Sequence, residues 1–222
     1  VYKRQDLDSA RIYADKVIRS NKFRFASKTS LNTFMQKTVS MEETIWGLYN
    51  AEVYSDWLTQ HVRRQGLGDL TTDFKSIYAY EGPTGKKDYR LDNWFGTYNR
   101  SGTPVDILVK VMGNISDTTS LTTSYNGGPY LGTSMIRIPE MYYIMSEALL
   151  ATGNAEGAME YLDAVVDARG MEKFADRTPL VDITLSDIMV ERRKEFIGEG
   201  QWWFCLKLSL IHISEPTRRR GI

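Results

Sequence analysis

The clearest patterning lies near the two ends of the chain. Over Asp6 to Ser20, Ala10, Tyr13, Ala14, Val17 and Ile18 recur at i, i+3, i+4, i+7 and i+8. That spacing predicts an amphipathic helix, started by Asp6 or Asp8 and ended at Ser20-Asn21. Phe23 and Phe25 then alternate as a short extended piece. From Ile138 to Ala151, Met141, Tyr142, Met145, Ala148 and Leu149 form a second apolar stripe, with Pro139 in the first turn, where a missing N–H costs nothing. Asn154 to Val166 is the next helix. Thr184 to Gly198 is another, with Thr184 and Asp187 in a capping-box-like start and Ile188, Val190, Phe196 and Ile197 as its apolar positions.

Between these helices the period changes. Ser27 to Ser134 shows little helical repetition. It holds clustered glycines (Gly66, Gly68, Gly82-Pro83, Gly85, Gly102, Gly127-Gly128-Pro129) and many aromatics, among them Trp46, Tyr49, Tyr54, Trp57, Tyr78, Tyr89, Trp94 and Phe95. Glu43 to Tyr49 alternates β-branched and aromatic residues and predicts a strand; Ile77 to Tyr80 and Val105 to Met112 are weaker candidates. A loop-rich stretch this long between helical parts is unusual unless it carries function.

Asn154 to Val166 aligns without gaps on Asp6 to Ile18, matching Ala158 to Ala10, Tyr161 to Tyr13, Asp163 to Asp15 and Val165 to Val17. Gly153 followed by small Ala158, with small Ala148 on the preceding helix, has the form of a tetratricopeptide unit. The fold expected is therefore mainly α, a tetratricopeptide-like scaffold carrying a long aromatic-rich insertion with a few short strands. Its parts are a repeat helix at 6–25, a loop-rich region at 26–135, and a helical hairpin plus a final helix at 136–207.

The ends read differently. A transposase-based sequencing adapter, translated, gives LSLIHISEPTR, which is 208–218; the reverse complement of its first part gives VYKRQ, which is 1–5. The expectation is that 1–5 and 208–222 are adapter-derived and that the native sequence is 6–207. An intact genomic gene encoding 208–218 would overturn that. The full chain has 28 basic and 28 acidic residues. Without the two ends it has 23 and 27, so neither count leaves the basic excess of a nucleic-acid footprint. His61 would be the sole histidine and Cys205 is the sole cysteine, which argues against a histidine triad, a zinc site or an internal disulfide. No apolar run reaches the roughly 18 residues needed to span a bilayer.

Chemistry concentrates in ERRKEFIGEGQWW, 191–203, where Glu191, Glu195 and Glu199 fall four apart beside Arg192, Arg193 and Lys194. Two carboxylates can serve a glycosidase, but these share one helix, whereas a glycosidic bond needs them on opposed walls. Neighbouring cations would also hold their pKa values down. A salt-bridged helix end explains the run better than catalysis. Trp202 and Trp203 are expected in the core, Cys205 as a small buried hydrophobe, and His61 in a solvated loop.

Five motifs in order resemble the SusD/RagB family. Arg137-Ile-Pro-Glu140, continuing to Glu147-Ala148, resembles its "R..E.y.i.AEA" helix, and Arg169-Gly170 the arginine closing the next helix. Glu191-Arg192-Arg193-Lys194-Glu195 through Glu199-Gly200 is similar to its "ERR.E...EG" signature. Glu43-Thr-Ile-Trp46 and Asp88-Tyr-Arg90 are similar to its "E.I" strand and "D.R" motif. After Glu199-Gly200 the family has an arginine and a D-L-x-R tail, whereas this chain has Gln201-Trp-Trp-Phe-Cys.

The resemblance implies an outer-membrane, surface-exposed lipoprotein of Bacteroidota, with its lipid anchor outside this sequence. Such a protein captures an oligosaccharide, or less often a peptide, for a SusC-like TonB-dependent transporter. It needs no cofactor or metal and performs no chemistry. A helical-repeat adaptor for a protein ligand is the alternative, and a glycoside hydrolase a distant third. Since sugar C–H faces stack on aromatic rings while hydroxyls need polar edges, Tyr54 and Trp57 with Asp56, and Trp94 with Asn93, are the glycan-binding candidates. Arg137, Glu140, Glu147, Arg169, Glu191, Arg192, Arg193, Glu195, Glu199 and Gly200 are the structural signature.

Overall fold

A computed structural model describes residues 6–28, 39, 42–50, 76–79, 85–100, 102–110, 115–117, 122–123, 132–180 and 182–205. Helix α1 (Leu7–Arg19) starts at Asp6, whose side chain accepts from the Ser9 amide at 2.9 Å. Strand β1 (Thr44–Tyr49) pairs antiparallel with β6 (Gly132–Arg137). Between them come helix α2 (Tyr89–Trp94), the hairpin β2 (Phe95–Arg100) and β3 (Thr103–Leu108), and the small ribbon β4 (Ile115–Asp117) and β5 (Thr122–Thr123). Helices α3 (Ile138–Ala151) and α4 (Ala155–Ala168) form an antiparallel hairpin. A 3-10 turn over Phe174–Asp176 leads to α5 (Leu185–Glu195), and a further helical segment covers 201–205.

The helical part is laid out as its periodicity predicts. Asn154 caps α4 through the Gly157 amide, and Gly153 takes the positive φ of the turn before it. Small Ala148 and Ala158 are both buried at the hairpin interface, where Ser146 Oγ donates to the Ala158 carbonyl at 2.7 Å. α1 lies against α3 and contributes Ala14 to a core with Tyr143, Met145, Leu149, Leu162, Val165, Val166, Ile188 and Phe196. Thr184 and Asp187 make a full capping box on α5, aspartate reaching the N-cap amide as glutamate would.

Several expectations are corrected. The strand expected over Ile77 to Tyr80 is not formed in its described part: residues 76–79 form a turn whose Tyr78 is buried in a second core with Ala26, Trp94, Phe95 and Leu108, and Tyr80 lies outside the described residues. Tyr13 and Val190 sit on the intended apolar stripes yet are exposed, because no described neighbour covers that side of α1 or α5. Trp203 was expected in the core and is 60% exposed, while Trp202 is half-buried beneath the Arg193 guanidinium. Residues 201–205 meet β6 through Gln201, whose Nε2 donates to the Met135 carbonyl at 3.0 Å, and Cys205 turns inward.

Candidate functional site

The five motifs, spread over some 150 residues of sequence, meet at one place. Arg90, Lys110, Arg137, Arg169 and Lys194 face Glu43, Asp88, Glu191, Glu195 and Glu199 in a continuous buried network of equal and opposite charge.

Glu195 is its centre. Arg169 grips it with Nε at 3.0 Å and Nη2 at 2.8 Å, the two-pronged geometry that a guanidinium and a carboxylate favour. Arg137 Nη1 reaches it at 2.7 Å and Arg90 Nη1 at 3.2 Å. Arg90 also clamps Asp88 through Nε and Nη2 and touches Glu191 at 2.7 Å. Glu43 takes Arg137 at 2.7 Å and Arg169 at 2.8 Å, and accepts from the Ala26 amide.

Local structure explains why these residues converge. Glu43 stands immediately before β1, and Arg137 ends β6 and serves as the N-cap position of α3. Their strands pair, and the Ile138 amide donates to the Glu43 carbonyl at 2.8 Å, so the end of the ribbon sets acid against arginine. Arg169 ends α4, and Gly170 follows at φ +81°, a left-handed conformation that a side chain resists. A Cβ there would lie 2.4 Å from the Tyr89 ring. The glycine thus admits Tyr89, whose amide donates to the Arg169 carbonyl at 2.8 Å and whose neighbour is Arg90. The two short motifs are halves of one junction.

Burial alone would raise the Glu191 and Glu195 carboxyls. Arg90 and Lys194 outweigh that at Glu191, and Arg169, Arg137 and Arg90 hold Glu195 well below the usual carboxylate range. The direction is the one expected from the sequence, and neighbouring Lys194 contributes at Glu191, but the guanidiniums that act on the signature acids come from distant segments rather than from Arg192 and Arg193. Arg192 instead binds Glu140 at 2.8 Å and lies 3.7 Å from Glu147, tying α5 to α3, and Arg193 points outward to Trp202.

Lys110 was not foreseen as part of this site. It stands in the apolar run 107–112, and a lone cation there had to find partners if buried. Its ammonium meets Glu199 at 2.5 Å and the carbonyls of Glu195 and Ile197 at the end of α5, over the Trp94 ring. Burial, against the pull of Glu199, brings its pKa down to about 8. Gly200 takes φ +72° just after Glu199.

The glycan-binding candidates separate. Tyr54, Asp56 and Trp57 lie outside the described residues. Trp94 is fully buried beneath Lys110, so its ring has no face for a sugar, which corrects its selection as a stacking residue. Asn93 is half-buried and donates from Nδ2 to the Tyr89 carbonyl at 2.6 Å. Among exposed aromatics the structure sets Trp46 (52% exposed) opposite Ile136 on the β1–β6 ribbon, with Tyr49 further along. No three His, Cys, Asp or Glu residues among those described are arranged to hold a metal ion. No described helix is long and apolar enough to cross a membrane.

No curated protein matches the sequence. The SusD family model matches residues 111–207. Among solved structures, a SusD-like carbohydrate binding protein from Bacteroides vulgatus is similar at a TM-score of 0.60 and 19% identity, over 89% of this chain and 40% of its own. A SusD superfamily protein from the same organism gives 0.64 and 20%, over 91% and 44%. Surface glycan-binding protein A from Bacteroides uniformis gives 0.64 and 18%, over 90% and 44%. The chain thus spans less than half the length of each of these structures. The signature helix lies inside the region that matches the SusD family model, and the solved structures share the fold of the chain as a whole.

Proposed function

We propose that this chain is part of a cell-surface protein that binds an oligosaccharide and hands it to a SusC-like TonB-dependent transporter. A lipid anchor on a part of the protein outside this sequence would hold it at the outer membrane. The observation that carries the binding reading is the match of 111–207 to the SusD family model, together with structures of the same fold described as carbohydrate- or glycan-binding. The acids of the signature are spent on structure: Glu195 is fully buried and Glu191 nearly so, each locked by arginine. Neither can reach a glycosidic bond, and the reading is therefore binding without chemistry. Tyr54, Asp56, Trp57 and Asn93 remain its candidate contacts, joined now by exposed Trp46 and Tyr49.

Titrating the protein with a panel of oligosaccharides and following tryptophan emission tests this reading, since Trp46 and Trp203 are open to solvent. Saturable change with at least one glycan is expected. Silence across the panel would overturn it. The exposed apolar side chains of the β1–β6 ribbon, Trp46, Leu48, Met135 and Ile136, would then favour a protein ligand, the second reading. Release of reducing sugar from the panel would restore an enzymatic role. The transporter and anchor are checked in the gene's surroundings, where a lipoprotein signal upstream and an adjacent TonB-dependent transporter are expected.

A further inference from the structure

Against the second core lies an open cleft of about 460 Å³, lined by Ser76 and Ala79 of the turn, Leu91 and Asp92 of α2, and Phe95, Gly96 and Thr97 of β2. We propose that this cleft is a subsite for one ring of a neutral glycan, an assignment that rests on the glycan-binding reading above.

The lining has the chemistry for a polyol. Asp92 is exposed and its carboxylate makes no ion pair or hydrogen bond with another of the described residues, so both oxygens can accept from adjacent sugar hydroxyls. Ser76 and Thr97 add hydroxyls that can take a further hydrogen bond beside the partners these residues already have, Thr97's being Asp106 at 3.4 Å across the hairpin. Leu91 and Phe95 supply the apolar floor against which ring C–H groups rest, and Gly96 leaves the wall low. A few placed polar groups over an apolar base, at this volume, is the ordinary make-up of a small-ligand site.

The lining also excludes. Among its described lining residues there is one carboxylate and no cation, so a uronic acid or sulfated sugar would meet like charge there.

The cleft is built on rigid ground. Arg90, one residue before Leu91, is clamped to Asp88, Glu191 and Glu195, and Tyr78, in the same turn as Ser76 and Ala79, donates to the Lys194 carbonyl at 2.9 Å. Both walls therefore hang from the buried network. A site held this way binds without first ordering its walls, which lowers the entropic cost of association.

The test uses calorimetric titration of the protein with neutral oligosaccharides (α-glucan, β-glucan, β-mannan, xylan) and acidic ones (oligogalacturonate, chondroitin sulfate). Asp92→Ala, Asp92→Asn and Thr97→Val are carried in parallel, each with its melting midpoint measured. Binding to a neutral glycan is expected, weakened at least tenfold by Asp92→Ala and several-fold by Thr97→Val at unchanged midpoint. Should Asp92→Ala lower the midpoint, the isosteric Asp92→Asn and Thr97→Val decide. Neutral binding that stays within twofold in the variants overturns the cleft and leaves the glycan reading standing. Binding of acidic glycans alone overturns the neutral class. Failure of the unaltered protein to bind any member overturns both.

Discussion

Glu195 shows how a charge can sit in a protein core without being available for chemistry. Three arginines surround it, so removing its charge would leave them short of a counter-ion in a place water does not reach. Glu195→Gln should therefore destabilise by about 3–5 kcal/mol, the usual penalty for breaking one side of a buried ion pair. Urea unfolding followed by circular dichroism reads it as a lower midpoint at unchanged slope. The same group, with Glu191, fixes the acid limit. Both carboxyls titrate lower in the folded chain than the ordinary 4.5. Their contribution is then complete above about pH 4.5 and is lost as pH falls through the folded values, where the unfolded chain takes up protons first. The urea midpoint should hold from pH 7 to 5 and drop steeply below 4.5. In Glu195→Gln it should start lower and drop less. A midpoint equally acid-sensitive in both would show that other carboxylates set the limit.

At the scale of elements, what could be read in advance depended on how locally each was determined. α3, α4 and α5 were legible because period, cap and stop lie within one helix length: Pro139, Asn154 with Gly153, and Thr184 with Asp187. The strand over Thr44–Tyr49 was legible from alternation, but its partner Gly132–Arg137 was not, since register is a relation between segments some 90 residues apart. Trp94 failed for a similar reason. Its sequence neighbours looked like a loop, and only the fold brings Lys110 onto its ring. The cleft walls Ser76, Asp92 and Thr97 carry no sequence signal at all, being common residue types brought together by a turn, a helix and a strand. Arg169-Gly170 was recognised as a pair without its cause, which the structure supplies. Gly170→Ala must accept a left-handed φ and push back the Tyr89 ring, so a loss of about 1–3 kcal/mol is expected from backbone strain alone, and more from the clash. Thr184→Ala, which removes only the cap on α5, should cost about 1 kcal/mol on the same urea scale. A Gly170→Ala loss no larger than that of Thr184→Ala would contradict the close packing of the two motifs.

Across the whole molecule, the network joins the strand ribbon, α2, the end of α4 and α5, and lies where two apolar cores meet. Tyr143 from one core and Tyr78 from the other both donate to carbonyls of α5. If the network acts as one unit, residues that never touch should still be coupled through it. Glu43 and Asp88 provide the test: Glu43 binds Arg137 and Arg169, Asp88 binds Arg90, and all three arginines share Glu195. Removing either acid frees an arginine to shift toward Glu195, so the second removal acts on a network already rearranged. A double-mutant cycle of Glu43→Gln with Asp88→Asn should therefore be non-additive by about 0.5–3 kcal/mol. The control pair, Glu43→Gln with Asn154→Ala at the far cap of α4, should add within about 0.5 kcal/mol. Additivity in both cycles would mean that the buried charges are separate pairs, and that the cleft on α2 takes no rigidity from the ribbon. Coupling in the first alone would make the five motifs of the sequence a single structural device, which holds the proposed glycan cleft in place without contacting the sugar.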